Sequence, residues 1–188
     1  MKMENMTMNM HRQSNKYNKQ KHHRRSLRLK GYDYSQNGAY FVTICTYNKE
    51  LLFEDNRIKN IVEDEWLNTP KRRRNIILDE YVIMPNHIHG IIIIENRVGA
   101  YCDTPLQSGF RSPSRTLGSI IRGFKASSTK KINIIRNSLG IPVWQRNYYE
   151  HVIRNETDLY DTRRYIRENP LKWDLDENNP NNFRSIET

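Results

Sequence analysis

The sequence predicts an α+β sandwich: an antiparallel sheet with helices packed mainly on one face. Two observations carry this. Stretches rich in β-branched and aromatic residues alternate with stretches of helical periodicity, in the order strand, helix, two strands, helix, strand, helix. The two middle strands are separated only by Pro85-Asn86, a link short enough to make them an antiparallel hairpin or close neighbours.

The turn-forming "SQNG" leads into residues 39–46, "AYFVTICT", the first strand. In "IKNIVEDEWLNT", Ile58, Ile61, Val62, Trp66 and Leu67 recur at helical spacing and define the first helix. "NIILDEYVIMP" and "HIHGIIIIEN" are the second and third strands. Gly, Pro and Ser then crowd "NRVGAYCDTPLQSGFRSPSRT", which reads as an exposed loop. Ser114 or Thr116 caps the next helix, whose apolar stripe is Leu117, Ile120, Ile121, Phe124, Ser128 and Ile132, and Gly140-Ile141-Pro142 is expected to break it. "VWQRNYYEHVIRN" supplies a fourth strand with imperfect alternation. Asn155, with Asp158 three residues on, caps a last helix, "ETDLYDTRRYIREN", which Pro170 is expected to stop. Leu159 and Ile166 give that helix its buried stripe. This divides the 188 residues into a disordered basic tail over 1–25, one domain over 26–175 and a C-terminal tail over 176–188.

Composition narrows the function classes. Apolar residues make up 36 % of the chain and the mean hydropathy is −0.89. No apolar run approaches the ~18 residues of a membrane span, and the N-terminus lacks a signal-peptide core. A soluble cytoplasmic protein without membrane contact is expected. Two cysteines, Cys45 and Cys102, exclude a disulfide framework. The net charge of +10 is concentrated: residues 1–30 hold nine Lys/Arg against Glu4, so 9 − 1 = +8. A second patch from Arg111 to Arg136 holds seven basic residues and no acid. Such runs suit a polyanion, above all nucleic acid, although a basic tail can also be merely solvated.

The histidines in "YVIMPNHIHGIIII" are out of place in so apolar a run. Alternation puts His87 and His89 on one face of the strand, about 7 Å apart along the backbone, with Ile88 turned toward the helices. Two neutral imidazoles on a face the helices leave free can share a divalent ion. They can also be surface or hydrogen-bonded residues. A shared ion needs a further ligand, and Asn169 with Tyr165 at i, i+4 on the last helix would bring an amide oxygen and a phenol. The plain alternatives are a packed tyrosine and a helix-terminal asparagine before Pro170.

These segments together resemble the single-tyrosine HUH (His–hydrophobic–His) endonucleases, and within them the REP-associated tyrosine transposases and their insertion-sequence relatives. The resemblance spans residues 25–173 and rests on "LRLKGYDYSQNGAYFVTICT", "YVIMPNHIHGIIII", "LGSIIRGFKASSTKKIN", "VWQRNYYEHVIRNE" and "YIRENPLKW", in the family's order. It implies a ferredoxin-like fold with the histidine pair on a central strand. It also implies metal-dependent cleavage and rejoining of single-stranded DNA beside a hairpin, a REP-type palindrome. By position, His87 and His89 would bind Mg²⁺ or Mn²⁺, Asn169 would be the third ligand, and Tyr165 the nucleophile. Asn169 stands where some relatives have Gln. Attack by the phenol would leave a 5′-phosphotyrosine and a free 3′-OH, which can reverse the step and rejoin strands. Arg122, Lys125, Lys130 and Lys131 are candidate phosphate contacts, as are Arg24, Arg25 and Arg28. Tyr148 and Tyr149 are candidate stacking residues for unpaired bases, whereas Trp144 reads as core and His151 as a supporting residue. The chain would act as a monomer or homodimer. Two other outcomes stay open: a catalytically silent hairpin-binding protein of this fold, and a metal-dependent nuclease using activated water.

Overall fold

The computed structural model describes residues 31–96 and 116–183. Its sheet has four strands, β1 (Gly38–Cys45), β2 (Ile76–Met84), β3 (His87–Ile94) and β4 (Tyr149–Ile153), in the order β2-β3-β1-β4. Every pairing is antiparallel. Helices α1 (Asn56–Leu67), α2 (Thr69–Arg72), α3 (Leu117–Ile135) and α4 (Glu156–Glu168) complete the α+β fold expected from the element order. The expectations for residues 1–30, including Arg24, Arg25 and Arg28, lie outside the described residues, as does the loop over 97–115.

Alternation along β1 and β3 sorts the core into two layers. Tyr40, Val42, Ile44, Ile88, Ile92 and Ile94 face α1 and α3, where they meet Val62, Trp66, Ile120, Phe124 and Ile132. Gly90 lets Trp66 lie flat on the strand, since a Cβ there would collide with the indole. The other face carries the smaller cluster of Phe41, Ile91, Ile153 and Ile166, with Leu159 packed against it. This face is therefore not bare: α1 and α3 share one side, and α4 lies across part of the other.

A bulge in β2 explains how α4 is seated. Leu78 pairs with Ile92 and Tyr81 with Gly90, so one extra residue separates them on β2. Asp79 and Glu80, at the bulge, hold Arg163 at 2.7 Å and Arg167 at 3.2 Å. Those arginines are i, i+4 on α4 and fix its distance from the edge strand.

Several boundaries differ from expectation. Leu67 is 47 % exposed, and Glu65 occupies the buried position instead, held by Arg72 and Lys131. Thr116, not Ser114, caps α3. That helix ends before Gly140: Asn137 takes a left-handed φ of 49°, and its N–H and that of Ser138 bond back to the carbonyls of Ile134 and Asn133. The fourth strand is only Tyr149–Ile153, with Trp144 bridging singly to Thr46. The last α-helix ends at Glu168, ahead of Pro170 as expected. Asn169 keeps helical angles, and the chain continues as a 3-10 helix over Asn169–Leu175, where the proline sits in a first turn that needs no donor. Among the described residues no helix is long and apolar enough to cross a membrane.

Candidate functional site

The hairpin turn Pro85-Asn86 delivers His87 and His89 to the sheet face shared with α4. Both are buried, at 0 % and 2 % exposure. Their Nε2 atoms face one another at 2.9 Å. Asn86 decides what His87 presents. Its amide nitrogen donates to the carbonyls of Lys49 (3.1 Å) and Asn178 (2.7 Å), so its Oδ1 must face His87 Nδ1, 2.8 Å away. That oxygen only accepts, so the proton is on Nδ1 and Nε2 offers a lone pair. His89 is held by Thr43, directly opposite in the register, with Oγ1 2.9 Å from Nδ1. A hydroxyl donates or accepts, and Thr43 therefore anchors the ring in either tautomer. Phe41 stacks on the His89 ring at 5.4 Å.

Burial lowers His87 to about 4, against the pull of Asp176, and lowers His89 to about 2, with the neighbouring His87 adding to the effect. Both rings are neutral near pH 7, the form that ligates metals.

The turn of α4 that brings Ile166 into the core aims Tyr165 at this pair. Its hydroxyl lies 3.4 Å from His89 Nε2, and its ring meets Phe41 edge-on at 5.9 Å. The residue remains 46 % exposed, so the phenol borders both the buried imidazoles and solvent. Burial raises its pKa, helped by Asp176 and Glu177, while a hydrogen bond from the Asn169 side chain opposes the rise. Asn169 is 4 % exposed, and its Oδ1 is buried with no hydrogen-bond partner among the described residues. A buried acceptor left so costs ~1–3 kcal/mol.

The site also contains a carboxylate that sequence reasoning missed. Asp176 is 9 % exposed, and its Oδ2 lies 3.8 Å from His87 Nε2. Donor atoms of His87, His89 and Asp176 all lie within 4.8 Å of one another. The residue sits in "DENNPNN", whose polar composition reads as loop, and nothing local marks it.

The residues present fit a divalent ion. Cis ligands at ~2.1 Å from a six-coordinate ion are ~3 Å apart, which matches the separation of the two Nε2 atoms. An orphaned amide oxygen and a carboxylate supply the oxygen chemistry that Mg²⁺ and Mn²⁺ favour.

Beside Tyr165 opens a cavity of about 660 Å³ lined by Phe41, His89, Asn147, Tyr149, His151 and Glu177 among others. Tyr149 stands at its wall, 49 % exposed. Tyr148 lines it too, but packs against the main core with Lys125 over its ring at 5.6 Å. His151 bonds Asp158 at 3.0 Å, and Trp144 is core, donating to Ser128 at 2.9 Å. Of the basic residues of α3, Lys125 reaches the rim of this cavity, and the others do not line it. Lys125 spans to the carbonyls of Gln145 and Asn147, and Lys131 pairs with Glu65 at 2.6 Å. Arg122 and Lys130 are on the helical layer, across the sheet from the histidines.

No protein-family model matches the chain. Among solved structures it resembles a REP-associated tyrosine transposase bound to a REP hairpin, with TM-score 0.57 and 20 % identity over 78 % of this chain and 73 % of that one. At that identity the likeness establishes the shared α+β fold. A putative transposase from Deinococcus radiodurans aligns with TM-score 0.41 and 17 % identity, over 75 % of this chain and 95 % of that one. A protein of Haemophilus influenzae is far nearer in sequence, 44 % identical over 175 residues that span 86 % of this chain and 96 % of the relative. The chain belongs to the same family as that uncharacterized Haemophilus influenzae protein.

Proposed function

We propose that the protein is a transposase-like endonuclease that cuts and rejoins single-stranded DNA at hairpins, with Tyr165 as nucleophile and a divalent metal held by His87 and His89. The observation that supports this most is the phenol itself: its oxygen sits 3.4 Å from the imidazole nitrogen that faces the second imidazole at 2.9 Å. A structural tyrosine does not need to be half exposed at the mouth of a cavity and aimed at a buried donor pair. The transposase of shared fold is described as bound to a REP hairpin, and hairpin DNA is the substrate proposed here.

His87 and His89 would hold the ion, with the Asp176 carboxylate within reach and the Asn169 amide proposed as a further oxygen donor. When bound, Mg²⁺ or Mn²⁺ offsets phosphate charge and favours the phenolate. The protein's own residues do the remaining work. Asn86 and Thr43 lock the two rings. The Asn169 side chain opposes the rise that burial imposes on the phenol's pKa. Phe41, which the tyrosine ring meets edge-on, helps to hold that ring in place. The phenolate oxygen attacks phosphorus and forms the Tyr–O–P bond, the P–O3′ bond breaks, and the 3′ oxygen leaves and takes up a proton. Return of the 3′-OH reverses the exchange without an external energy source. Tyr149 is placed to stack an unpaired base in the cavity, worth ~1–3 kcal/mol.

The test is a labelled single-stranded DNA hairpin incubated with Mn²⁺ and run on a denaturing gel. Wild-type protein should give a band of covalent protein–DNA adduct. Tyr165→Phe should give none while binding the hairpin with affinity within about threefold of wild type. Cleavage that persists in Tyr165→Phe would instead identify a hydrolase using water.

A further inference from the structure

We propose that Asp176 is the anionic ligand of the metal site, so that segment 173–182, and not only the strand and α4, builds the catalytic centre. The proposal rests on the metal-dependent reading above and adds to it the residue that balances charge.

The segment is fastened to the histidines at several points. The Asn178 carbonyl accepts from the Asn86 amide at 2.7 Å, the group that sets the His87 tautomer. Glu177 accepts through its carbonyl from Lys49 Nζ at 3.0 Å. The Trp173 ring lies 6.0 Å from the His87 ring. Within the segment, Asp176 Oδ1 accepts from the Asn178 N–H at 2.6 Å, and the Asp176 carbonyl accepts from Asn179 and Asn182. One carboxylate oxygen is thereby committed to the turn. The other, Oδ2, faces His87 Nε2 at 3.8 Å. The Asn86 oxygen holds a His87 proton on Nδ1, which leaves Nε2 to turn its lone pair toward that carboxylate. In the tautomer that donates from Nδ1 to Thr43, His89 turns a third lone pair toward the same small space. Lone pairs gathered in this way repel unless a cation lies among them.

Charge points the same way. Two imidazoles and an amide are neutral and would leave a buried divalent ion with its full charge. A carboxylate removes one unit, and a single phosphodiester removes the second. The Asn-rich turn "DENNPNN" then has a purpose beyond closing the chain: Asn178, Asn179 and Asn182 satisfy the groups around Asp176 so that its free oxygen stays aimed.

The experiment is Mn²⁺ binding by purified full-length protein, followed by electron paramagnetic resonance of free Mn²⁺, in the absence of DNA. Asp176→Asn keeps the oxygen that accepts from Asn178, and its melting temperature in EDTA should equal that of wild type. Its Mn²⁺ dissociation constant should rise about tenfold or more. Glu177→Gln, which removes the adjacent charge, should stay within about threefold, and Asp176→Glu should recover part of the affinity even if the asparagine variant folds poorly. Wild-type affinity in Asp176→Asn, or an equal loss in Glu177→Gln, overturns the proposal. If Asp176→Asn binds Mn²⁺ normally and the Tyr165 adduct still forms, this assignment alone falls. If Mn²⁺ binding depends on Asp176 but no adduct ever forms, the strand-transfer reading falls and the ligand assignment stands.

Discussion

Gly90 illustrates how tightly single residues around the site are set. It lies on β3 between His89 and Ile91, and a Cβ there would collide with Trp66 Cζ2 and lie 3.1 Å from Cη2. Trp66 is itself pinned by Phe124 edge-on at 5.4 Å and is 1 % exposed, so it has nowhere to move. Gly90→Ala should therefore destabilise the fold by about 1–3 kcal/mol through overpacking, read as a lower denaturant midpoint. Trp66→Phe in the same chain should recover part of the loss, because the smaller ring vacates the space. A midpoint unchanged by Gly90→Ala would mean that the helix can lift off the strand and that the histidines have no rigid backing. The neighbouring histidines were legible in the sequence for the opposite reason. Imidazoles in an apolar strand are costly to desolvate, and period-two alternation alone puts them on one face. Asp176 was not legible: it is 176 − 87 = 89 positions from His87, and only the folded turn places the two side by side.

At the level of elements, the helical stripes and the hairpin followed from periodicity and from the short Pro85-Asn86 link. What periodicity could not give is the bulge at Asp79-Glu80, because an inserted residue looks like ordinary polar alternation until the pairing partner is known. Yet that bulge sets where α4, and with it Tyr165, comes to rest. A comparable case joins α1 to α3. Glu65 has a fully buried side chain, held by Arg72 and Lys131 at 2.6 Å each. The hydrogen bond from Arg72 in particular lowers its carboxyl from the ordinary 4.5 to about 2. A carboxyl with a depressed folded pKa stabilises the fold fully above its unfolded pKa and loses that contribution as pH falls toward the folded one. Folding free energy should thus decline between pH 4.5 and about 2 by on the order of 3 kcal/mol from this group. Glu65→Gln should be less stable at pH 7 and flatter through that window, as measured by chemical denaturation at successive pH values. Lys131 accordingly serves the helical layer, and neutralising it should change stability more than DNA affinity.

For the whole molecule, charge and chemistry occupy different places. The buried donor set and the phenol lie on one face of the sheet, whereas Arg122 and Lys130 of α3 are on the other. The largest charge excess is in residues 1–30, at +8. A hairpin whose single strand reaches Tyr165 must be gripped by groups that can meet its duplex stem, and Arg24, Arg25 and Arg28 are proposed for that task. Neutralising one cation that binds a phosphate lowers the slope of log K against log salt by ~0.7–0.9. Replacing all three arginines by Gln should reduce the slope for hairpin binding by about 2 and weaken affinity most at low salt, as read by fluorescence anisotropy over a salt series. Adduct formation at saturating DNA should keep its wild-type rate, because none of the three is asked to touch the reacting phosphate. An unchanged slope would remove the basic N-terminal run from the binding surface and move the grip to the helical layer, where Arg122→Gln and Lys130→Gln would then have to show the missing salt dependence.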